Sequence, residues 1–225
     1  MEGLGALLTQ YDVLGAFFMT IKLTLGGALG ALLIGTVVAI CRVSPVAVLQ
    51  KVGAWYVTIF RNTPLTLIIA LCLLGLNNVL AIQLAPDSIV ENGFRWAVVG
   101  LSIYHASFVA EAIRSGVNTI PAGQAEAARS IGLSFGPALR HVILPQAFRG
   151  AIAPLGNTLI ALTKNTTVAA TIGVGEAAYM MRNMIEFSPN HLYAVFFLMA
   201  VGFVILTLPM GVLFTWLSNR LGVAR

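Results

Sequence analysis

The sequence predicts an all-α, polytopic membrane protein with five transmembrane helices, and three observations predict it. Of the 225 residues, 58% are hydrophobic and only 9% are Asp, Glu, Lys or Arg, where an ordinary soluble domain carries about a quarter charged residues. The mean hydropathy is +0.91. Charge-free runs at 23–41, 62–86, 96–110, 150–163 and 187–219 supply the stretches of about 20 apolar residues that helical spans require. A soluble enzyme, a nucleic-acid-binding domain or a disordered chain would need far more polar surface.

Extended to their nearest interfacial residues, the runs become spans at 13–41, 51–80, 94–114, 149–169 and 192–218. The first is not a secretory signal, because its start carries Glu2 and Asp12 and no basic residue, whereas a signal opens on positive charge and has a shorter core. Gly26, Gly30 and Ala31, with Gly27 and Gly35 nearby, give span 1 the small-residue spacing that lets helix backbones approach in lipid. The spacing does not name the partner helix. Span 3 extends to Glu111 at an interface, and Pro189 and Asn190 cut the start of the last run. Cys41 and Cys72 lie in apolar runs without metal-ligand companions and read as small buried hydrophobes.

Basic residues orient the chain. Arg42, Lys51, Arg114, Arg129, Arg140, Arg149, Arg220 and Arg225 fall in one set of loops and ends, against Arg95 and Arg182 in the other. The positive-inside rule then places the N-terminus outside and the C-terminus in the cytoplasm, as five spans require. Lys22, Arg61 and Lys164 remain as intramembrane or ambiguous cations.

The connection between spans 3 and 4, at 115–149, is too ordered for a simple linker. Ile120-Pro121 reads as a helix start, because proline is tolerated in a first turn. Gln124 to Arg129 is strongly helix-favouring, Gly132 ends that helix, and Ser134 is placed to cap a second one. Leu144-Pro145 marks the return to the membrane. Two short helices around a glycine turn look like a docking surface.

Glu126-Ala127-Ala128, three residues, Gly132, nine residues and then Val142-Ile143-Leu144-Pro145 resembles the EAA motif of ABC importer permeases, with Val142 where that family usually has Ile. The flanks Ile120-Pro121, Gly123-Gln124 and Gln146-Ala147 extend the match. So do Arg61-Asn62-Thr63-Pro64-Leu65 in span 2 and Lys164-Asn165-Thr166-Thr167 in span 4. This fuller pattern resembles the polar amino-acid branch, the histidine, glutamine and glutamate permeases, over roughly residues 13–220. The resemblance implies a type I ABC importer permease fold, with 1–225 a single transmembrane domain and 115–149 its coupling-helix segment. It implies that Glu126, Ala127, Ala128, Arg129, Gly132, Leu144 and Pro145 dock a separate ATP-binding cassette subunit. ATP and magnesium belong to that partner, and no cofactor or metal is expected in this chain, which has no Gly-x-x-x-x-Gly-Lys-Ser/Thr sequence. A second permease, identical or homologous, an extracytoplasmic solute-binding protein and a bacterial plasma membrane complete the implied assembly. It is a translocation subunit, not an enzyme.

Charged groups in a bilayer usually face protein or a water-filled path. With straight helices, Arg61 and Lys164 would each lie about 22 Å from the cytoplasmic end of their spans. Two readings stay open for them: a cationic lining for an anionic substrate, together with Asn62, Thr63, Asn165, Thr166, Thr167 and His105, or structural contacts to helix-end carbonyls, Glu176 or Glu111. His105 reads first as a hydrogen-bonded interior residue. Many relatives carry an acidic residue where this chain has Asn165, and the absence of that carboxylate favours glutamate or aspartate over a cationic amino acid. The run Thr163 to Thr167, with Gly173-Val174-Gly175-Glu176-Ala177, resembles glutamate-uptake permeases.

The alternative class is an ion-coupled transporter or channel without an ATPase, which fits the composition but leaves 115–149 unexplained. An intramembrane enzyme is excluded by the placement of His105, His141 and His191 in a span, a cytoplasmic loop and an external edge.

Overall fold

The computed structural model describes residues 2–221, so Arg225, used above for orientation, lies outside the described residues. Among these, α-helices joined by shorter 3-10 and π turns form the whole fold, with no strand. A first helix, α1 (Glu2–Gln10), precedes the 31-residue α2 (Val13–Val43), which Asp12 starts by accepting a hydrogen bond from the Gly15 N–H at 2.8 Å. The helix α3 (Ala47–Asn62) follows, then α4 (Leu65–Ala70) with a π continuation at Leu71–Val79. The long α5 (Ile89–Val117) stands at the centre and carries the most buried residues.

The seam between α2 and α5 answers which helix the glycines of span 1 meet. A Cβ at Gly26, Gly27, Gly30 or Gly35 would touch Val98, Leu101, Ser102 or Val109 in turn. The paired numbers rise together, so α2 and α5 run in the same direction, which requires one return pass between them. At Gly30 the approach is tightest: an added Cβ would lie 2.2 Å from Ser102 Oγ.

That return pass is not the straight span expected at 51–80. Its two halves, Ala47–Asn62 and Leu65–Val79, meet at 101°. Pro64 is the cause. It has no N–H for the helix ladder and forces Thr63 out of the helical region, to φ −96° and ψ 132°. The bend lies beyond Arg61, which stands next to the last residue of α3, so the straight continuation of the span past Arg61 is what does not hold.

The cytoplasmic segment comprises α6 (Ala122–Ser130), the single turn α7 (Phe135–Ala138) with a π stretch at Leu139–Ile143, and α8 (Leu144–Gly150). The fourth pass, α9 (Ile152–Asn165), unwinds into a 3-10 turn at Thr166–Ile172 that Gly173 closes at φ +81°. Among the described residues, three helices, α2, α5 and the last, are long and apolar enough to cross a membrane singly, and the bent pair taken as one span makes a fourth. Span 4 differs because its short helix carries polar residues such as Asn157, Thr158 and Thr163.

Beyond it lies α10 (Ala177–Phe187), and then α11 (Leu192–Leu221), of which only Val195 and Met199 are buried. An outer cluster joins α1, α10 and α11 through Leu7, Ala177, Met184, Val195 and Met199, and Tyr11 Oη lies 3.2 Å from Ser188 Oγ. Helix α10 occupies the stretch around Arg182 that the charge pattern assigns to a connecting loop. Its helical signal is the spacing of Ala177, Met180, Met181 and Met184.

Candidate functional site

Two regions bring together the residues singled out in the sequence. In the cytoplasmic segment, α6 starts after Pro121 and exposes Glu126, Ala127 and Arg129, while Ala128 is its one buried side chain. Its end is a Schellman turn. The Leu133 N–H reaches back to the Ala128 carbonyl at 3.0 Å and the Gly132 N–H to that of Arg129 at 2.9 Å. Gly132 has φ +83° with open space where a side chain would go, so the requirement there is conformational and not steric. Ser134 stands at the start of α7, but its side chain makes no cap. The π stretch that follows accommodates Pro145, which cannot donate to the carbonyl four residues back and whose ring would crowd it.

The segment is rooted on α5. A Cβ on Gly116 would lie 2.1 Å from the Ala147 carbonyl oxygen, and one on Gly150 would lie 2.6 Å from Thr119 Oγ1. Thr119 itself donates to the Gly116 carbonyl at 2.7 Å. Two backbones thus touch at the foot of the segment, Leu144 and Pro145 leading into the contact, while α6 projects away. An apolar hollow of about 480 Å³ separates α6 from the corner between α2 and α3, with Val43, Pro45, Ala125 and Leu139 in its wall.

The second region lies at the bend of α3 and α4. Asn62 Nδ2 donates to the Thr58 carbonyl at 2.7 Å and Thr63 Oγ1 to that of Ile59 at 2.8 Å. These two side chains, not Arg61, satisfy the helix end. Arg61 instead lays its guanidinium over the Phe108 ring, 5.0 Å from its centre. Phe108 stacks with Tyr104 and His105, and His105 Nε2 lies 3.2 Å from Asn165 Nδ2. Arg61 in span 2 and Asn165 in span 4 are thereby joined through one face of α5. His105 is buried, and its Nδ1 has no partner among the described residues. Phe108 was not singled out in the sequence, although its spacing of four from Tyr104 places both on one helix face.

The remaining expected lining residues are less alike. Thr166 is buried and donates to the Thr163 carbonyl at 2.8 Å, while Thr167 donates to that of Lys164 at 2.8 Å. Lys164 and Arg61 are exposed. Neither has a carboxylate partner among the described residues. The structural pairing considered for them is overturned for both acids. Glu111 binds Arg42 and Arg114, the latter through Nε at 2.9 Å. Glu176 caps α10 by accepting from the Ala178 and Tyr179 N–H groups at 2.9 Å each. Burial pushes its carboxyl up, and those two N–H groups oppose the shift.

The model for binding-protein-dependent transport system inner membrane components matches residues 31–223. The chain belongs to this family. The glutamate transport system permease protein GluC of Corynebacterium glutamicum is 52% identical over 218 residues, covering 95% of this chain and 96% of that one. The probable glutamine ABC transporter permease protein GlnM of Bacillus subtilis is 33% identical over 205 residues, or 91% of each chain. Among solved structures, a crystal structure of an amino acid ABC transporter with histidines superposes with a TM-score of 0.79 at 27% identity, over 93% of this chain and 94% of that one. Family membership makes this an inner-membrane translocation component with the type I importer fold, not an enzyme, and sets aside the ion-driven alternative. It also implies an ATPase partner and another permease.

Proposed function

We propose that this chain is the permease subunit of an ATP-driven importer whose cargo is an acidic amino acid, glutamate first. The observation that carries the cargo is the Arg61–Phe108–His105–Asn165 chain. It places an unpaired cation and a neutral amide on one face of α5, with no carboxylate in the set. An amino-acid side-chain carboxylate would find attraction there, and a guanidinium would find repulsion. The 52% identity to a glutamate permease supports the same cargo.

Residues 1–225 act as one transmembrane domain with the N-terminus outside, and 115–149 as its coupling segment. Glu126, Ala127, Ala128, Arg129 and Gly132 form the face toward the ATPase subunit, which holds ATP and magnesium. The backbone contact of Gly116 with Ala147 passes displacement of α6 and α8 directly to α5. A second permease and an extracytoplasmic solute-binding protein complete the assembly.

The test is ATP-driven uptake in vesicles carrying this permease, its partner permease, the ATPase and the binding protein. Glutamate should be accumulated and arginine should not compete. Equal accumulation of arginine would overturn the cargo, and accumulation without the ATPase would overturn the energy source.

A further inference from the structure

Of the three intramembrane or ambiguous cations, Lys22 takes part in neither region above. It is the only charged residue between Val13 and Cys41, and it lies on the exposed stripe of α2 with Leu14, Phe18, Leu25 and Leu29. A charge on such a stripe is costly unless something meets it. No carboxylate among the described residues does so. Its ammonium instead sits 5.3 Å from the centre of the Phe18 ring and 5.7 Å from that of Phe94 on α5.

The pairings of Gly26 with Val98 and Gly30 with Ser102 put the Lys22 backbone level with Phe94, about 8 Å into α5 from Ile89. Its ammonium lies against the Phe18 ring, one turn nearer the start of α2, the direction a lysine takes when it snorkels to a headgroup layer. The next residue of α5 is a second cation, Arg95. It donates through Nε to Glu91 at 3.0 Å and through Nη1 to the Leu84 carbonyl at 2.5 Å, so Glu91 offsets part of its charge. Beside them is a shallow groove of about 350 Å³ lined by Gly26, Leu84, Phe94, Arg95, Val98 and Val99. Its floor exists because Gly26 has no side chain: a Cβ there would press on Val98 at 3.2 Å.

We propose that Lys22 and Arg95 hold the phosphate of an anionic phospholipid whose acyl chain lies in this groove between α2 and α5. The charge is complementary, and apart from Arg95 the groove is lined by apolar residues. The assignment to the outer leaflet alone rests on the orientation proposed above.

Native mass spectrometry of the intact transporter, exchanged into mixed phosphatidylglycerol and phosphatidylcholine, tests the site. The wild type should retain phosphatidylglycerol in preference to phosphatidylcholine. Lys22→Gln should lose that preference by about fivefold, the weight of one basic residue near a charged surface, Arg95→Gln should lose less, and Lys22→Arg should keep it. Since Lys22 is exposed, the Gln variant leaves packing intact, and the retained subunit composition in the same spectrum verifies this. Equal phosphatidylglycerol retention by wild type and Lys22→Gln overturns the site. So does loss of the second permease in Lys22→Gln, which would assign the lysine to a protein partner.

Discussion

The cytoplasmic segment and the polar region at the bend both rest on α5, but they are built differently. At its cytoplasmic end α5 meets α8 backbone to backbone, where Gly116 leaves no room above the Ala147 carbonyl. Near its middle, beyond the apolar packing of Leu162, its polar contact with α9 among the described residues is Asn165 to His105, beside an unpaired Arg61. A close-packed glycine joint has few alternative arrangements and transmits displacement. A site held by one amide and one aromatic face leaves its polar groups available to a cargo. In the proposed function, rigidity stands where force would enter and unmet polarity where solute would pass.

The largest expected effect breaks the rigid side of this comparison. Gly116→Leu would drive a Cβ to 2.1 Å from the Ala147 oxygen, and overpacking of this kind costs about 1–3 kcal/mol or more. ATP-driven uptake should be lost, with the protein either absent from the membrane or present and uncoupled. Gly211→Ala is the control: its Cβ would meet Ile160 at an ordinary 3.7 Å, and uptake should be unchanged. Similar losses in both variants would show that the joint is not special.

Next comes the polar side. Arg61→Ala should lower glutamate uptake about tenfold, roughly 1.4 kcal/mol, while the basal ATPase rate stays near wild type. Asn165→Asp should lower glutamate uptake as well and let arginine compete, because it restores a carboxylate beside His105. Unchanged uptake in both variants would remove these residues from the path.

How much of this was legible in the sequence depended on the kind of signal. The helices and turns of 115–149 are readable nearly residue by residue, because Pro121, Gly132 and Pro145 each impose a local backbone requirement. The joint beneath it was not, since neither Gly116 nor Gly150 announces what it will touch. The glycines of α2 gave close packing without a partner for the same reason. Pro64 lies within the charge-free run at 62–86, but such a run records solvent preference and is blind to a 101° bend. The link from Arg61 to Asn165 required Phe108, an apolar residue in an apolar span, which no charge map distinguishes from its neighbours.

A smaller effect is expected at the turn. Gly132→Val must hold a β-branched residue at φ +83°, at a cost of about 1–2 kcal/mol, and should weaken ATPase stimulation several-fold. Gly132→Asn should retain most of it, because Asn accepts the left-handed region. If both variants behaved alike, the glycine would be needed for clearance at the ATPase and not for its dihedral angle.

The smallest effect tests whether the Thr63 hydroxyl adds anything to what Pro64 imposes at the bend between α3 and α4. Thr63→Val removes only the hydroxyl that donates to the Ile59 carbonyl at 2.8 Å, a contribution of about 1 kcal/mol. Pro64 still lacks its N–H and still forces residue 63 into extended backbone, so the two halves should keep their angle. Distances between spin labels on α3 and on the Leu71–Val79 stretch should be unchanged in Thr63→Val and should lengthen in Pro64→Ala, where a continuous helix becomes available. Glutamate uptake in Thr63→Val should then stay within about twofold of wild type, since a loss of 1 kcal/mol shared by every state of the transporter changes no equilibrium between them. A large transport defect with the bend intact would instead place the Thr63 hydroxyl on the solute path, beside Arg61.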